Sequence, residues 1–292
     1  MNPKLKLILS MITFGTLGLF VKNIPLASGE IALYRAVIAS VALGVAGLLV
    51  KRPLRFSAVR AELPWLFLSG AAIGFNWILL FESYRYTAVS ISTLSYYFAP
   101  VLVTLLCPVL FRERLTAKQL VCFLFSTLGL ALLIGIGSGQ TSRQDLIGIG
   151  FGLGAATLYA TAVLLNKKIS RVTGLDRTLC QFLAIIVVLA PYVLATSGFH
   201  IGKLDGKGLF NLLFLGLVHT GLCYYLYLSA LKDLRGQQAS ILSYLDPLVA
   251  IVVSLVFLHE TISLSQIAGG MLILGFTLLN EFDFSRKKSR PV

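Results

Sequence analysis

The sequence predicts an all-α integral membrane protein of ten transmembrane helices, arranged as two five-helix repeats inserted in opposite directions. Three observations carry that expectation. The 292 residues are 57% hydrophobic and 13% charged, with a mean hydropathy of +0.87, whereas a water-soluble domain carries about 25% charged residues. Apolar runs long enough to cross a bilayer recur along the whole chain. Two stretches, "YYFAPVLVT" from Tyr96 and "SYLDPLVAI" from Ser243, place Tyr and Pro at the same spacing, 147 residues apart.

Crossing the hydrocarbon core takes about 20 apolar residues, and this sets the spans in order. The first, 5–21, follows Lys4 and Lys6 and carries Phe14. A basic start with an apolar core also suits a signal peptide, but no convincing small-residue cleavage site follows, so the segment is expected to stay. The second, 31–50, holds Arg35 about five residues inside its outer end. The third, 63–81, carries Phe75, Asn76 and Trp77 and stops at Glu82. The fourth, 89–111, contains Tyr96, Tyr97, Pro100 and Pro108. The fifth, 117–136, opens on Thr116-x-x-Gln119, a capping box in which hydroxyl and amide satisfy the orphan N–H groups of a helix start. The sixth, 146–165, carries Tyr159 and, like the third with Gly70 and Gly74, spaces glycines four apart (Gly148 and Gly152, Gly150 and Gly154), which lets helices approach closely. The seventh is 178–197. The eighth, 209–230, holds His219, Tyr224, Tyr225 and Tyr227. The ninth, 238–258, contains Tyr244, Asp246 and Pro247, and the tenth, 265–282, opens on a second capping box, Ser263-x-x-Gln266.

Lysine and arginine orient these spans. Alternate loops and both termini hold 19 of the 25 basic residues, the opposite side holds five (Lys22, Arg85, Arg143, Lys203 and Lys207), and Arg35 lies within a span. One span more or fewer would scramble that bias, which therefore supports ten and puts both termini in the cytoplasm. The net charge of +13 is spread between apolar runs with no continuous stripe, so no nucleic-acid partner is expected. Cys107, Cys122, Cys180 and Cys223 sit in apolar segments with no CxxC spacing and read as small buried side chains.

A shift of 147 residues lays Tyr97 on Tyr244, Pro100 on Pro247, Glu113 on Glu260 and Gln119 on Gln266; a shift of 145 lays Phe14 on Tyr159 and Lys22 on Lys167. The repeats are 1–137 and 146–284, followed by a basic cytoplasmic tail at 285–292. Five spans is an odd number, so the second copy enters from the opposite face. Inverted repeats let one fold expose a midplane site to either side in turn, the mark of secondary transporters; a plain duplication in a structural membrane protein is the alternative.

Ten spans in two halves, each with a Pro-containing helix, then "RE" or "HE", then a Ser/Thr-x-x-Gln-capped helix, resemble the drug/metabolite transporter superfamily, and within it the EamA type, over essentially the whole chain. The resemblance implies an inner-membrane carrier of small metabolites, often an exporter, with a central cavity lined mainly by spans 1, 3, 4, 6, 8 and 9. It names no cargo.

Candidate substrate contacts are Phe14, Asn76, Trp77, Tyr97, Tyr159, Tyr224, Tyr244 and Asp246: aromatic rings with hydroxyls around one acid suit a small amine-bearing solute. Asp246 costs about 2.5–3.5 kcal/mol near a span centre on insertion scales, which argues for use, as amine ligand or proton carrier; a protonated Asp bonded to a neighbouring helix is the structural alternative. Arg35 and Glu82 are expected to form an ion pair near the outer leaflet, the other role open to Arg35 being to hold a substrate carboxylate. Pro100 and Pro247, which each remove a backbone hydrogen bond, are candidate hinges, against static kinks. His219 reads as simply hydrogen-bonded. No catalytic, metal or cofactor motif and no ATP-binding loop is present, which disfavours an enzyme; a channel would show a pore ring instead of an inverted duplication. The expected function is secondary transport of an amino acid or related amine-bearing metabolite, in the export direction, with proton coupling considered; uptake or exchange of another small metabolite or drug is the alternative. The expected partners are the substrate and the lipid bilayer, with the protein a monomer or homodimer.

Overall fold

In the computed structural model, which describes residues 1–49, 56–111, 116–134, 142–231, 233–234 and 236–281, the described residues form ten helical rods. Span 1 is α1 (Pro3–Gly15) and α2 (Leu17–Lys22); span 2 is α3 (Ser28–Leu49); span 3 is α4 (Phe56–Tyr86). Span 4 is α5 (Val89–Tyr96) and α6 (Ala99–Phe111), span 5 is α7 (Ala117–Ile134), span 6 is α8 (Arg143–Asn166) and span 7 is α9 (Gly174–Thr196). Span 8 runs through α10 (Gly206–Phe214), a π-helical stretch (Leu215–Leu222) and α11 (Cys223–Leu231); span 9 is α12 (Gly236–Ser243) and α13 (Leu245–Val256); span 10 is α14 (Leu264–Glu281). Seven rods are long and apolar enough to cross a membrane alone, and Ala117–Leu133, Leu245–Val256 and Leu264–Asn280 are shorter apolar helices.

The breaks have identifiable causes. A proline ring clashes with the carbonyl four residues back. Four before Pro100 is Tyr96, where α5 stops; four before Pro247 is Ser243, where α12 stops. Span 1 breaks at Thr16, whose N–H and hydroxyl both turn back to the Thr13 carbonyl (3.1 and 2.8 Å). Both capping boxes form: the N–H of Gln119 donates to Thr116 Oγ1 and that of Gln266 to Ser263 Oγ, each at 3.2 Å.

Hydrogen bonds sort the loops into two ends. At one, Lys22 pairs with Glu260, Arg85 donates to the Leu26 carbonyl (3.0 Å), Thr87 donates to Asp145 (2.6 Å), and the His200 N–H donates to Glu30 (2.6 Å). These join loops 1/2, 3/4, 5/6, 7/8 and 9/10. At the other end Glu62, at the foot of span 3, accepts from the N–H groups of Ser170, Arg171 and Val172 in loop 6/7 at 2.8–3.1 Å, and Lys118 donates to the Asn280 carbonyl (3.2 Å). Pro3 and Arg143, the starts of the two halves, therefore lie at opposite ends: the repeats are inverted.

Packing follows the same two-fold. Span 3 lies on spans 6 and 7 as span 8 lies on spans 1 and 2, and spans 2 and 7, 4 and 9, and 5 and 10 pair across the axis. Lipid supplies no hydrophobic drive between helices, so close backbone approach and polar bonds hold them, each interhelical bond contributing about 0.6 and at most about 1.7 kcal/mol. Asn76 Nδ2 donates to the Ala155 carbonyl at 2.6 Å, Ser83 bonds the Gly148 carbonyl at 2.7 Å, and Ser10 reaches the Cys223 carbonyl at 3.3 Å. A Cβ at Gly70 would meet the Gln181 carbonyl at 2.6 Å, and one at Gly152 would meet Ser95 at 2.9 Å; Gly150, expected in the same role, has nothing within 4 Å. Cys122, Cys180 and Cys223 are free thiols. The side chain of Cys107, Glu113 and the tail 285–292 lie outside the described residues.

Candidate functional site

The two proline breaks are joined by side chains that stand beside them. Tyr97, in the gap of span 4, donates its hydroxyl to Asp246 Oδ2 at 2.8 Å. Asp246 occupies the first turn of α13, where the helix dipole favours a negative charge. Irregular backbone at membrane depth is tolerated where it is buried in protein or borders a water-filled space, and aromatic rings from three further spans, 1, 6 and 8, gather around these two. Tyr97 packs on Tyr96 (6.2 Å) and Tyr244 (6.3 Å), Tyr96 on Tyr159 (5.6 Å), and Phe14 on Tyr224 (5.6 Å) and Tyr227 (6.4 Å).

These groups touch across the bundle yet keep accessible surface. Asp246, Phe14, Tyr96, Tyr97, Tyr224, Tyr227 and Tyr244 are half-buried, and Tyr159 is 41% exposed. They form an aromatic and polar cluster contributed by spans 1, 4, 6, 8 and 9. Tyr84, Phe81 and Val89 are buried, and a polar lock stands at the end opposite the N-terminus. Glu260 there pairs with Lys22, accepts the Val89 N–H at 2.8 Å and the Ser254 hydroxyl at 2.5 Å, and Ser254 joins Ser90 at 3.0 Å. One carboxylate thus ties the ends of spans 1 and 9 to the start of span 4.

Six expected contacts (Phe14, Tyr97, Tyr159, Tyr224, Tyr244 and Asp246) belong to this cluster. Two do not. Asn76 is 1% exposed and spends its amide on span 6, and Trp77, 5% exposed, lies under the Arg35 guanidinium, 4.1 Å from its ring centroid, and against Phe182. The expected ion pair between Arg35 and Glu82 is absent. Ser28 donates to Glu82 at 2.6 Å and Arg85 stands 3.7 Å from it, whereas Arg35 is two turns further along α3, about 10 Å deeper at 1.5 Å per residue. There Arg35 donates through Nε to Thr220 at 2.5 Å. Span 2 begins at Ser28, not 31, so Arg35 lies deeper in the helix than the sequence reading put it, and its side chain is buried in the bundle. His219 is hydrogen-bonded, as expected, to Thr16 at 2.9 Å; Tyr225 turns outward, 43% exposed. The sequence reading missed the lock. Its signals were Lys22, a cation on the side poor in them, and Glu260, matched to Glu113 by the repeat.

The described residues thus form a ten-helix inverted bundle with a polar and aromatic cluster where spans 4 and 9 break. The family model for the EamA-like transporter family matches residues 4–135 and 146–281, and the chain belongs to that family. The "Uncharacterized transporter YxxF" of Bacillus subtilis (strain 168) is 31% identical over 278 residues, 91% of this chain and 87% of its own length. The "Probable amino-acid metabolite efflux pump" of Salmonella typhimurium (strain LT2) is 29% identical over 194 residues, 62% of this chain and 64% of its own. A protein of known crystal structure shares the fold with a TM-score of 0.66 at 18% identity, over 95% of this chain and 96% of that one. The protein is a multi-pass EamA-family transporter.

Proposed function

We propose that this protein exports a small amine-bearing metabolite, an amino acid or a close relative, by alternating access across the cytoplasmic membrane, with both termini in the cytoplasm. The observation that carries the reading is Asp246: a carboxylate at membrane depth, held by one phenol, at the first turn of a broken helix and within a ring of tyrosines. An ammonium group gains a charge-assisted hydrogen bond and cation-π contacts there. In this reading the Glu260 lock serves as the outer door and cargo is loaded from the cytoplasm. Amine and proton compete for Asp246, and the proton gradient drives the cycle. The relative named as a probable amino-acid metabolite efflux pump supports the cargo class and the direction.

The test is counterflow in proteoliposomes against a panel of amino acids and amines, with a pH gradient of either sign. Accumulation of at least one amine-bearing solute by wild type, lost in Asp246→Asn while the protein stays monodisperse with an unchanged Tm, is the expected result. Exchange of no panel member, or wild-type rates in Asp246→Asn at every pH, overturns it.

A further inference from the structure

Inversion lays each group at one end of the bundle on a counterpart at the other, and one corner breaks the match. The 147-residue shift lays Thr104 on Ile251, Ser126 on Ile273 and Leu133 on Asn280. Ile251, Ile273 and Leu133 pack into a single apolar cluster, with Ile273 and Leu133 fully buried. Their polar counterparts instead line a niche between spans 4, 5 and 10, at the end where Lys118 meets Asn280. Cys122, Phe123 and Phe276 complete its wall, and it encloses about 210 Å³, its open side included.

The polar groups of this corner have hydrogen-bonding capacity left over. Thr104, Thr127 and Thr277 turn their hydroxyls back to the carbonyl four residues earlier, at 2.6–2.9 Å. Ser126, 0% exposed, makes no such bond, and its Oγ has no protein partner. The Asn280 amide is oriented by Thr104. That hydroxyl spends its proton on the Pro100 carbonyl, so it can only accept, and Asn280 Nδ2 donates to it at 3.0 Å. Asn280 Oδ1 is the end left over, buried and unpartnered. Lipid offers neither atom a hydrogen bond, and buried polar groups without one are rare. An ordered water is the usual remedy; it needs two to four polar partners and takes about 30 Å³.

We propose that this corner is a water-binding site. The water accepts from the Ser126 hydroxyl and donates to Asn280 Oδ1 and to the second lone pair of Thr104 Oγ1. Solvent then joins α6 to α7 and α14, where the counterpart of α6, α13, is joined to the same pair by aliphatic packing. The bundle thus has a wet joint and a dry one at symmetry-related places.

The experiment is X-ray footprinting of the purified protein in detergent, in which hydroxyl radicals arise from bound water in place and oxidise the side chain beside it. Cys122, 4% exposed and part of the niche wall, is the reporter. Oxidation of Cys122 is expected in wild type. It should slow several-fold in the variant Thr104→Ile, Ser126→Ile, Asn280→Leu, which copies the filled corner of the opposite end. Cys122 left intact in wild type while exposed side chains are oxidised overturns the proposal, and this arm decides the matter even where the filled variant does not fold. Oxidation at the wild-type rate in a folded filled variant equally overturns it, since the radical then came from elsewhere. A wild-type Tm that rises when sodium replaces choline assigns the corner to a cation and overturns it as well.

Discussion

Tyr97 and Asp246 come from symmetry-related broken spans and meet at 2.8 Å. An intramembrane carboxylate costs about 2.5–3.5 kcal/mol. A hydrogen bond to a charged group returns about 1.5–3 kcal/mol, and a helix N-terminus about 0.3–1. The two sides nearly balance, so the acid is tolerated with little to spare, and the phenol is the larger support. Tyr97→Phe keeps the ring contacts with Tyr96 and Tyr244 and removes that support. A loss of about 1.5–3 kcal/mol predicts a lowered Tm and a kcat/KM for counterflow that falls by roughly 10- to 100-fold. Initial rates across a concentration series check it, and an unaltered kcat/KM would leave Tyr97 a packing residue. Asp246 was legible in the sequence because an acid interrupts an apolar run, and Tyr97 because the repeat lays it on Tyr244. Arg35 was misplaced because an apolar window cannot see that Ser28 and Glu30 already belong to the helix: the helix begins where backbone bonding begins, not where hydropathy rises.

At the scale of elements, the number, order and direction of the spans were readable, since length, basic loops and an odd-numbered repeat over-determine them. The internal breaks were half readable. Proline announces two, and their places follow from the clash four residues back. The break at Thr16 and the π-helical turn at Leu215–Leu222 carry no residue type that marks them; they arise where spans 1, 2 and 8 crowd, as at Gly216, where a Cβ would meet Ile38 at 2.6 Å. A helix-interior proline costs about 3 kcal/mol against alanine. Pro247→Ala therefore returns an N–H to the Ser243 carbonyl and removes the ring clash, and it is expected to raise Tm while slowing turnover several-fold, because α12 and α13 then move as one rod. Rates and melting curves on the same preparation test this; unchanged turnover makes the break a static kink. Spans 5 and 10 cross with no room for a side chain, a Cβ at Gly129 meeting the Gly269 carbonyl at 2.7 Å. Gly129→Val forces backbone apart and should cost at least the 1–3 kcal/mol typical of overpacking, read as a lowered Tm.

For the molecule as a whole, inversion makes each half the template for the other's alternative state. In the proposed cycle the outer door consists of Glu260 drawing together Lys22, the Val89 N–H and Ser254. The repeat places Lys167 where Lys22 stands and Glu113 where Glu260 stands, so the matching lock at the cytoplasmic end is expected to be Glu113 with Lys167, engaged when the cluster faces outward. The two carboxylates should then act in opposite senses on one equilibrium. The outer lock is only partly buried, with side chains 28% and 13% exposed, which puts its worth below the 3–5 kcal/mol of breaking a fully buried pair and its effect at several-fold in populations. With the native cysteines replaced, Tyr159→Cys reports the cluster to a membrane-impermeant thiol reagent added to inside-out vesicles. Glu260→Gln, by loosening the outer door, should slow that labelling several-fold; Glu113→Gln, by loosening the inner one, should hasten it; and the double variant should return towards wild type. Changes of the same sign in both single variants, or none in either, would mean that the doors are not built from the repeated pair.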